Sequence, residues 1–228
     1  MSGLFTYIEA GVLVGALVIV LYVATAGALA SGRVRSGLVY GTVALAWFVI
    51  LWELARLGAF EGGRVGWRPT VALVTVVPAT LGLASTGALT RHLVSPGAPA
   101  GALVTLQLCR LVSAALFIAL AGEALPWWIA VPAGAGDIAI AAAAPWVARL
   151  ITRRDHRMEV VLGVWTAGGM AVAAFLVTAV LVAGRSGTYF LTLYPLVLIP
   201  VFVAPAMVVL QIVAMKAAKD GGAPPPSY

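Results

Sequence analysis

Charged side chains are scarce in this chain of 228 residues. Only 10% of the residues are charged, whereas 62% are hydrophobic. A soluble domain is closer to one quarter charged and one half apolar. Because so few polar groups cannot cover a folded surface in water, the composition excludes an ordinary soluble domain and predicts a protein that lies in lipid.

Residue types that hold metals and cofactors are also scarce. The single cysteine, Cys109, excludes a disulfide within the chain and any CxxC motif. His92 and His156 have no carboxylate or cysteine at ligand spacing, so we predict no zinc site and regard both as solvated loop residues. A retinal pigment is disfavoured, because retinal forms a Schiff base with a lysine buried inside the helix bundle. The only lysines, Lys216 and Lys219, lie at the end of the last apolar segment and beyond it.

Sequence motifs of catalysis are missing as well. The chain has no HExxH, GxSxG or P-loop motif and no visible nucleophile–base pair, which predicts a non-enzymatic protein. The net charge is +6, but the basic residues lie between apolar segments, as in membrane proteins, and do not form a nucleic-acid surface. The predicted partners are therefore the lipid bilayer and a small molecule or ion, with no nucleic acid.

Long apolar segments dominate what is present. Seven segments of roughly 20 residues, the length that crosses ~30 Å of hydrocarbon, are predicted near residues 8–30, 37–57, 70–90, 101–121, 127–148, 159–183 and 191–215. The short connections make sequential helices antiparallel neighbours. The predicted fold is all-α, a single seven-helix transmembrane domain over 1–215, with a disordered tail over 216–228. Abundant small residues are compatible with a homo-oligomer.

Basic residues divide unequally between the two ends of the predicted bundle. One end carries nine of them and the other carries four. The nine are Arg33, Arg35, Arg91, Arg149, Arg153, Arg154, Arg157, Lys216 and Lys219, and the four are Arg56, Arg64, Arg68 and Arg185. The positive-inside rule then places the N-terminus outside and the C-terminus in the cytoplasm. High alanine, glycine and arginine content with little lysine is typical of GC-rich bacterial genomes, so we predict a multi-pass protein of the bacterial inner membrane.

Two opposite charges interrupt the fourth and fifth segments near their middles. Arg110 lies in one segment and Asp137 in the other, with Gln107 one turn before Arg110. Each charge in hydrocarbon costs roughly 2.5 to 3.5 kcal/mol on insertion scales, and pairing at matching depth lowers that cost. Two hypotheses stay open: a polar site that binds a ligand headgroup, an ion or a proton, and an ion pair that only locks the hairpin.

The residues before Asp137 predict a disturbed fifth helix. They read Pro-Ala-Gly-Ala-Gly-Asp over 132–137. A proline and two glycines loosen a helical turn, and a broken helix beside a charge can offer backbone donors to a ligand. Gly134 and Gly136 are therefore candidate ligand-binding residues. The alternative is a kink that a neighbouring helix fills.

The seventh segment and the predicted outer ends of the first two supply the remaining candidates. Three prolines spaced five residues apart should bend the seventh helix. Tyr194 lies at its outer end and Gln211 in its cytoplasmic third, and we place both among the ligand-binding candidates. Glu9 and Glu53 are predicted to be interfacial charges, with Arg56 at the spacing of a local partner for Glu53. The alternative is that both carboxylates form an outer vestibule leading to the buried charges.

Residues 102–215 resemble an uncharacterised family of bacterial seven-helix integral membrane proteins. The resemblance is carried mainly by Pro-Ala-Gly-x-Gly-Asp at 132–137 and Tyr-Pro-Leu-Val-Leu-Ile-Pro at 194–200. It implies that relatives often carry histidine where this chain has Gln211, which would make a haem ligand there. That histidine is missing here, so His92 and His156 are the only, weak, haem-ligand candidates.

The leading functional prediction is an inner-membrane protein that binds a small ligand or ion at the site around Arg110 and Asp137, with transport as an extension. Arg110 would hold an anionic group, Asp137 would act as its counter-ion or proton acceptor, and Gln107 would orient the pair. One alternative is a haem-binding electron-transfer or sensor protein. Another is a structural or assembly subunit of a membrane complex.

Overall fold

The structure, a computed structural model, describes residues 2–31, 34–62, 65–94, 100–182 and 189–220. All regular elements in these ranges are helical. The α-helices are α1 (Ser2–Ser31), α2 (Val34–Arg56), α3 (Trp67–Ala84), α4 (Thr86–Leu93), α5 (Ala100–Thr105), α6 (Ala115–Ala121), α7 (Trp127–Arg153), α8 (Met158–Val182) and α9 (Ala204–Asp220). The others are a 3₁₀ segment (Leu106–Ala114), a short 3₁₀ turn (Tyr189–Thr192) and a π segment (Ile199–Val203).

Seven helical stretches of the described chain are long and apolar enough to cross a membrane, as the sequence predicts. They are Thr6–Ala26, Gly37–Arg56, Trp67–Ala84, Ala100–Ala121, Trp127–Arg153, Met158–Val182 and Ile199–Asp220. The fourth joins α5, the 3₁₀ segment and α6, and the seventh joins the π segment and α9. Of the basic residues behind the predicted orientation, Arg33, Arg64 and Arg185 lie outside the described residues, as does the tail from residue 221.

Two ends of the last span differ from the predicted ones. The span begins at Ile199 and not near residue 191, because the chain before it forms turns. Their backbone groups are bonded locally: the amide of Val197 donates to Leu193 at 3.0 Å and that of Leu198 to Pro195 at 3.1 Å. At the other end α9 continues to Asp220, so the first five residues of the predicted disordered tail are helical.

Of the two hypotheses for the fifth helix, the structure agrees with the alternative to a break, because α7 continues through Pro132 without interruption and neighbouring helices pack closely beside it. Neighbouring side chains fill the space that the two glycines leave. A Cβ at Gly134 would lie 2.7 Å from the ring of Phe117, and one at Gly136 would lie 2.6 Å from Val172. The glycines therefore allow close helix packing, the common use of small residues between membrane helices.

The last span is the central element of the bundle. Within its apolar window 72% of the residues are buried, against 17% for the window of α3. Helix α9 packs against α3, α4, α5 and α8, and the π segment packs against α1, α2, α3 and α8. Polar side chains that the middle spans direct inward therefore meet this last span.

Candidate functional site

The 3₁₀ segment places three polar side chains on one face of the fourth span. Gln107, Arg110 and Ser113 are spaced three residues apart, and a 3₁₀ helix has 3.0 residues per turn, so the three side chains lie above one another. In an α-helix Ser113 would point about 120° away from Gln107. All three are 1% exposed or less. The local departure from α geometry thus assembles one side of the site.

Arg110 is the centre of a buried hydrogen-bond network. Its Nε donates to Oε1 of Gln107 at 2.8 Å. Its Nη1 donates to Oδ1 of Asp137 at 2.5 Å, and its Nη2 donates to Oε1 of Gln211 at 3.0 Å. A guanidinium stays charged in proteins. The network therefore gives a permanent buried cation one carboxylate as counter-ion and two amide oxygens as further acceptors.

Asp137 lies on α7, 3% exposed and near the middle of its span. Its Oδ1 accepts from Arg110, and its Oδ2 accepts from the hydroxyl of Ser113 at 2.6 Å. Both carboxylate oxygens are thus bonded to groups of the fourth span. The predicted pairing of Arg110 with Asp137 is present, whereas Gly134 and Gly136 contribute to helix packing.

Gln211 connects the last two spans to the network. Its Oε1 accepts from Arg110, and its Nε2 donates to the backbone oxygen of Trp165 on α8 at 3.0 Å. Gly169, one turn after Trp165, lies so close to the Gln211 amide that any Cβ there would overlap it. Gln107 reaches the same helix as Gln211, because its Nε2 donates to the backbone oxygen of Met207 at 3.2 Å. The network therefore joins the fourth, fifth, sixth and seventh spans.

The network is closed. The guanidinium of Arg110, the carboxylate of Asp137 and both side-chain amides have partners for each of their nitrogen and oxygen atoms. The next residue after Trp165 is different: the hydroxyl of Thr166 is 3% exposed and has no partner in the described part of the chain. A buried hydroxyl without a hydrogen bond is costly. This hydroxyl, on the residue that follows the network member Trp165 in the chain, marks a place where a further polar atom would be stabilised.

A second polar cluster lies where α1 begins and α2 ends. The hydroxyl of Tyr194 donates to Oε1 of Glu9 and accepts from Nε1 of Trp52 at 2.9 Å. Burial and the bond to Glu9 raise the pKa of Tyr194. Glu53 pairs instead with Arg56 at 3.3 Å, and both side chains are about half exposed. Tyr194 therefore bonds to Glu9, a residue of the predicted vestibule, whereas Gln211 is the residue of the last span that bonds to Arg110.

The two histidines differ in environment. His156 is 82% exposed at the side chain, with Nδ1 3.4 Å from the carboxylate of Asp155, as expected for a loop residue. His92 lies in α4 and is 6% exposed, with its ring centroid 4.0 Å from that of Tyr40, so the expectation of a solvated loop residue is wrong. Burial lowers the pKa of His92 and favours the neutral ring. Its Nε2 has no partner among the described residues.

No cluster of three or more His, Cys, Asp or Glu side chains within the described ranges could hold a metal ion. For a haem, His92 offers one buried nitrogen, whereas the strongly exposed His156 has no comparable position. The described side chains thus supply at most one histidine ligand of the buried kind that a haem requires.

Sequence reasoning missed Ser113 and Trp165. A signal for Ser113 existed, because Gln107, Arg110 and Ser113 recur every three residues, the period of a 3₁₀ helix. Trp165 contributes a backbone oxygen to Gln211, and its Nε1 donates to the backbone oxygen of Ile140 at 2.9 Å. Backbone acceptors leave no mark in a sequence, so this contact needed the tertiary structure.

The model of one protein family, described as "Domain of unknown function (DUF8737)", matches residues 68–218. The chain belongs to this family. The matched part of the DUF8737 chain contains every member of the network around Arg110, whereas Glu9 and Trp52 of the second cluster lie before it. No curated protein and no solved structure matches the chain.

Proposed function

We propose that this DUF8737 protein is a multi-pass protein of the bacterial inner membrane that binds a small anionic ligand or an ion at the site around Arg110 and Asp137. The observation that carries the proposal is Arg110 itself. A permanent cation lies 1% exposed near the middle of a membrane-length span, bonded to three side chains from three spans. Ionisable groups inside a membrane are costly and are retained mainly where they serve a ligand, an ion or a proton.

In the proposed mechanism an anionic ligand group takes the place of Asp137 at the guanidinium of Arg110. Asp137 then keeps Ser113 as donor and takes up a proton or a cation. Gln107 and Gln211 hold the guanidinium from either side. The hydroxyl of Thr166, which lacks a partner among the described residues, supplies an additional donor for the ligand.

Access to the site requires movement, because the network is closed. The two spans that supply Arg110 and Gln211 both contain turns that are not α-helical, the 3₁₀ segment and the π segment. Such turns within helices often mark hinges or functional sites. Conversion of the 3₁₀ segment to α geometry would rotate Ser113 about 120° away from Gln107 and release one donor from Asp137. This step opens the carboxylate for exchange and is the starting point for transport.

The test is thermal unfolding of the detergent-purified full chain in sodium chloride, nitrate, acetate and phosphate at constant ionic strength. The Arg110→Met/Asp137→Leu variant removes the buried pair, and Glu53→Gln/Arg56→Gln removes an exposed pair as a matched control. We expect at least one anion to raise the unfolding midpoint of the wild type and of the control, but not of the buried-pair variant. The same midpoint in all four salts, or equal shifts in all three proteins, would contradict binding at this site.

A structural subunit is the second candidate, and the closure of the network favours it. Buried polar networks in which every group has its partner can fix helix packing without binding anything. If this function is correct, anions should not change the unfolding midpoint, and the buried-pair variant should lose its assembly with a partner protein.

An absorption spectrum of the purified protein, oxidised and then reduced with dithionite, tests the haem alternative, since a Soret band that shifts on reduction would reveal bound haem.

A further inference from the structure

A groove opens between α5 and α7 at the end of the bundle where α7 finishes. Its volume is about 360 Å³, within the range of about 300–1,000 Å³ usual for small-molecule sites. Its apolar lining consists of Gly101, Ala102, Pro145 and Ala148, and its polar lining consists of Thr105, Thr152, Arg149 and Arg153. None of the described lining residues is acidic. The groove therefore carries two positive charges with no negative charge among its own residues.

The two arginines lack partners that would neutralise them. Arg149 and Arg153 are four residues apart on α7 and so project from the same face, where like charges repel. None of the ion pairs in the described part of the chain includes either residue. Both side chains are exposed. An anion placed between them would relieve the repulsion and accept charge-assisted hydrogen bonds from two guanidinium groups.

The hydroxyl groups of the groove can also reach an anion. Thr105 donates to the backbone oxygen of Gly101 at 2.9 Å, and Thr152 donates to that of Ala148 at 2.9 Å. A hydroxyl can rotate and donate to a different acceptor. Two arginines and two hydroxyls around one groove match the oxygens of a phosphate group, which arginine recognises through paired hydrogen bonds.

Exposed apolar side chains follow the groove residues along both spans, toward the middle of each. Leu108, one turn beyond Thr105, is 37% exposed, and Ala142, one turn before Pro145, is also exposed. Trp146, the residue after Pro145 in the chain, is 53% exposed, in keeping with tryptophan at the boundary between headgroups and hydrocarbon. A basic end followed by an apolar surface along membrane-length helices matches the shape of a phospholipid and not that of a free phosphate ion.

We infer that this groove binds the phosphate of an anionic phospholipid. Arg149 and Arg153 bind the phosphate, and the acyl chain lies along Leu108 and Ala142. Basic pockets between transmembrane helices hold such headgroups in other membrane proteins. The inference does not depend on the proposed ligand site, because the groove shares no residue with the network around Arg110.

The experiment counts bound lipid on the detergent-purified full chain by native mass spectrometry. The protein is titrated with dioleoyl phosphatidylglycerol, with dioleoyl phosphatidylcholine, or with glycerol phosphate. Arg149→Gln/Arg153→Gln removes the proposed ligands. Arg35→Gln/Arg91→Gln is the matched control, since it also removes two exposed positive charges. Unchanged elution in gel filtration and an unchanged unfolding midpoint without added lipid establish that the variants are folded.

We expect one tightly bound phosphatidylglycerol on the wild type and on the control. Binding to Arg149→Gln/Arg153→Gln should be roughly 30-fold weaker, since two basic residues near a membrane surface together contribute about 2 kcal/mol. Equal binding of phosphatidylcholine would overturn the inference. Glycerol phosphate competing as strongly as the lipid would replace it by a site for free phosphate esters. Equal losses in both variants would show that only total charge matters, and would also overturn it.

Discussion

Removal of Asp137 alone should be the most damaging single change in the central network. Arg110 is 1% exposed in the wild type, and in Asp137→Leu its guanidinium keeps its charge but loses the one counter-ion that it has among the described residues, while Ser113 loses its acceptor. Breaking one side of a buried ion pair costs about 3–5 kcal/mol. Neutral hydrogen bonds between membrane helices average about 0.6 kcal/mol. If the free energy of unfolding falls by several kcal/mol, the cause is therefore the isolated charge of Arg110 and not merely the missing hydrogen bonds.

Removal of Arg110 alone should cost less. In Arg110→Met the carboxyl of Asp137 can take up a proton and become neutral, and Ser113 remains beside it. The remaining cost comes from the amide oxygens of Gln107 and Gln211, which lose their donor. At about 0.6 kcal/mol for each neutral hydrogen bond between membrane helices, the two losses together cost about 1.2 kcal/mol. The two single variants should thus be unequal, with Asp137→Leu the less stable.

The double variant Arg110→Met/Asp137→Leu isolates the pair. It contains no unpaired charge, so only the cost of the two amide oxygens and the Ser113 hydroxyl remains, about 2 kcal/mol in total at about 0.6 kcal/mol for each lost hydrogen bond. The double variant should therefore be more stable than Asp137→Leu alone. The coupling energy between the two positions should be at least about 2 kcal/mol.

The assay is unfolding of the purified protein in mixed micelles with increasing SDS, followed by tryptophan fluorescence, for the wild type and the three variants. The Glu53→Gln/Arg56→Gln variant, which removes an exposed pair, should change the unfolding free energy by less than about 1 kcal/mol. A loss below about 1 kcal/mol in Asp137→Leu would refute the reasoning, as would single and double variants whose losses simply add.

Three further predictions concern single positions. Gly169→Ala should destabilise the fold by about 1–3 kcal/mol in the same assay, because the added methyl group would overlap the amide of Gln211. The control Gly163→Ala on the same helix has open space around it and should be neutral or stabilising. Equal effects of the two substitutions would contradict the close contact between Gly169 and Gln211. Tyr194→Phe should cost about 1.5–3 kcal/mol through its lost bond to Glu9, and the control Tyr7→Phe, at a site 76% exposed, should cost nothing measurable. Burial lowers the pKa of His92. The contribution of His92 to stability is therefore complete above the unfolded-state pKa of about 6.5 and falls as pH drops through the lower folded-state pKa. Unfolding midpoints measured from pH 8 to pH 5 should lose this pH dependence in His92→Phe, and a profile equal to that of the wild type would contradict the prediction.

The path of the chain through its spans was predictable from the sequence. Hydrophobicity and helix length are local properties, and a stretch of 20 apolar residues has few alternatives to a membrane-length helix. The position of Arg110 and Asp137 in consecutive apolar segments joined by a short turn already implied similar depth. For these reasons the seven helices and the pairing of the two charges were accessible without coordinates.

The interruptions of regular helix were not predictable in the same way. A proline and two glycines before Asp137 left a broken helix and a kink filled by a neighbouring helix both open. In the structure α7 is continuous, and Phe117 and Val172 fill the space at the glycines. Tertiary packing here outweighs the local preference of the backbone. The fourth span carries no proline, and it contains the 3₁₀ segment all the same.

The sequence by itself determined that this chain is built of seven apolar helices and that two opposite charges lie midway along the fourth and fifth. Only the tertiary structure decided that Gln211, 101 residues after Arg110, completes the network, that Tyr194 belongs to a different cluster, and that His92 is buried. The physical reason is the distance along the chain over which each effect acts. A hydrophobic pattern is set within one helix. The hydrogen-bond partner of a buried polar group depends on which helices pack against each other, and these can be far apart in the sequence.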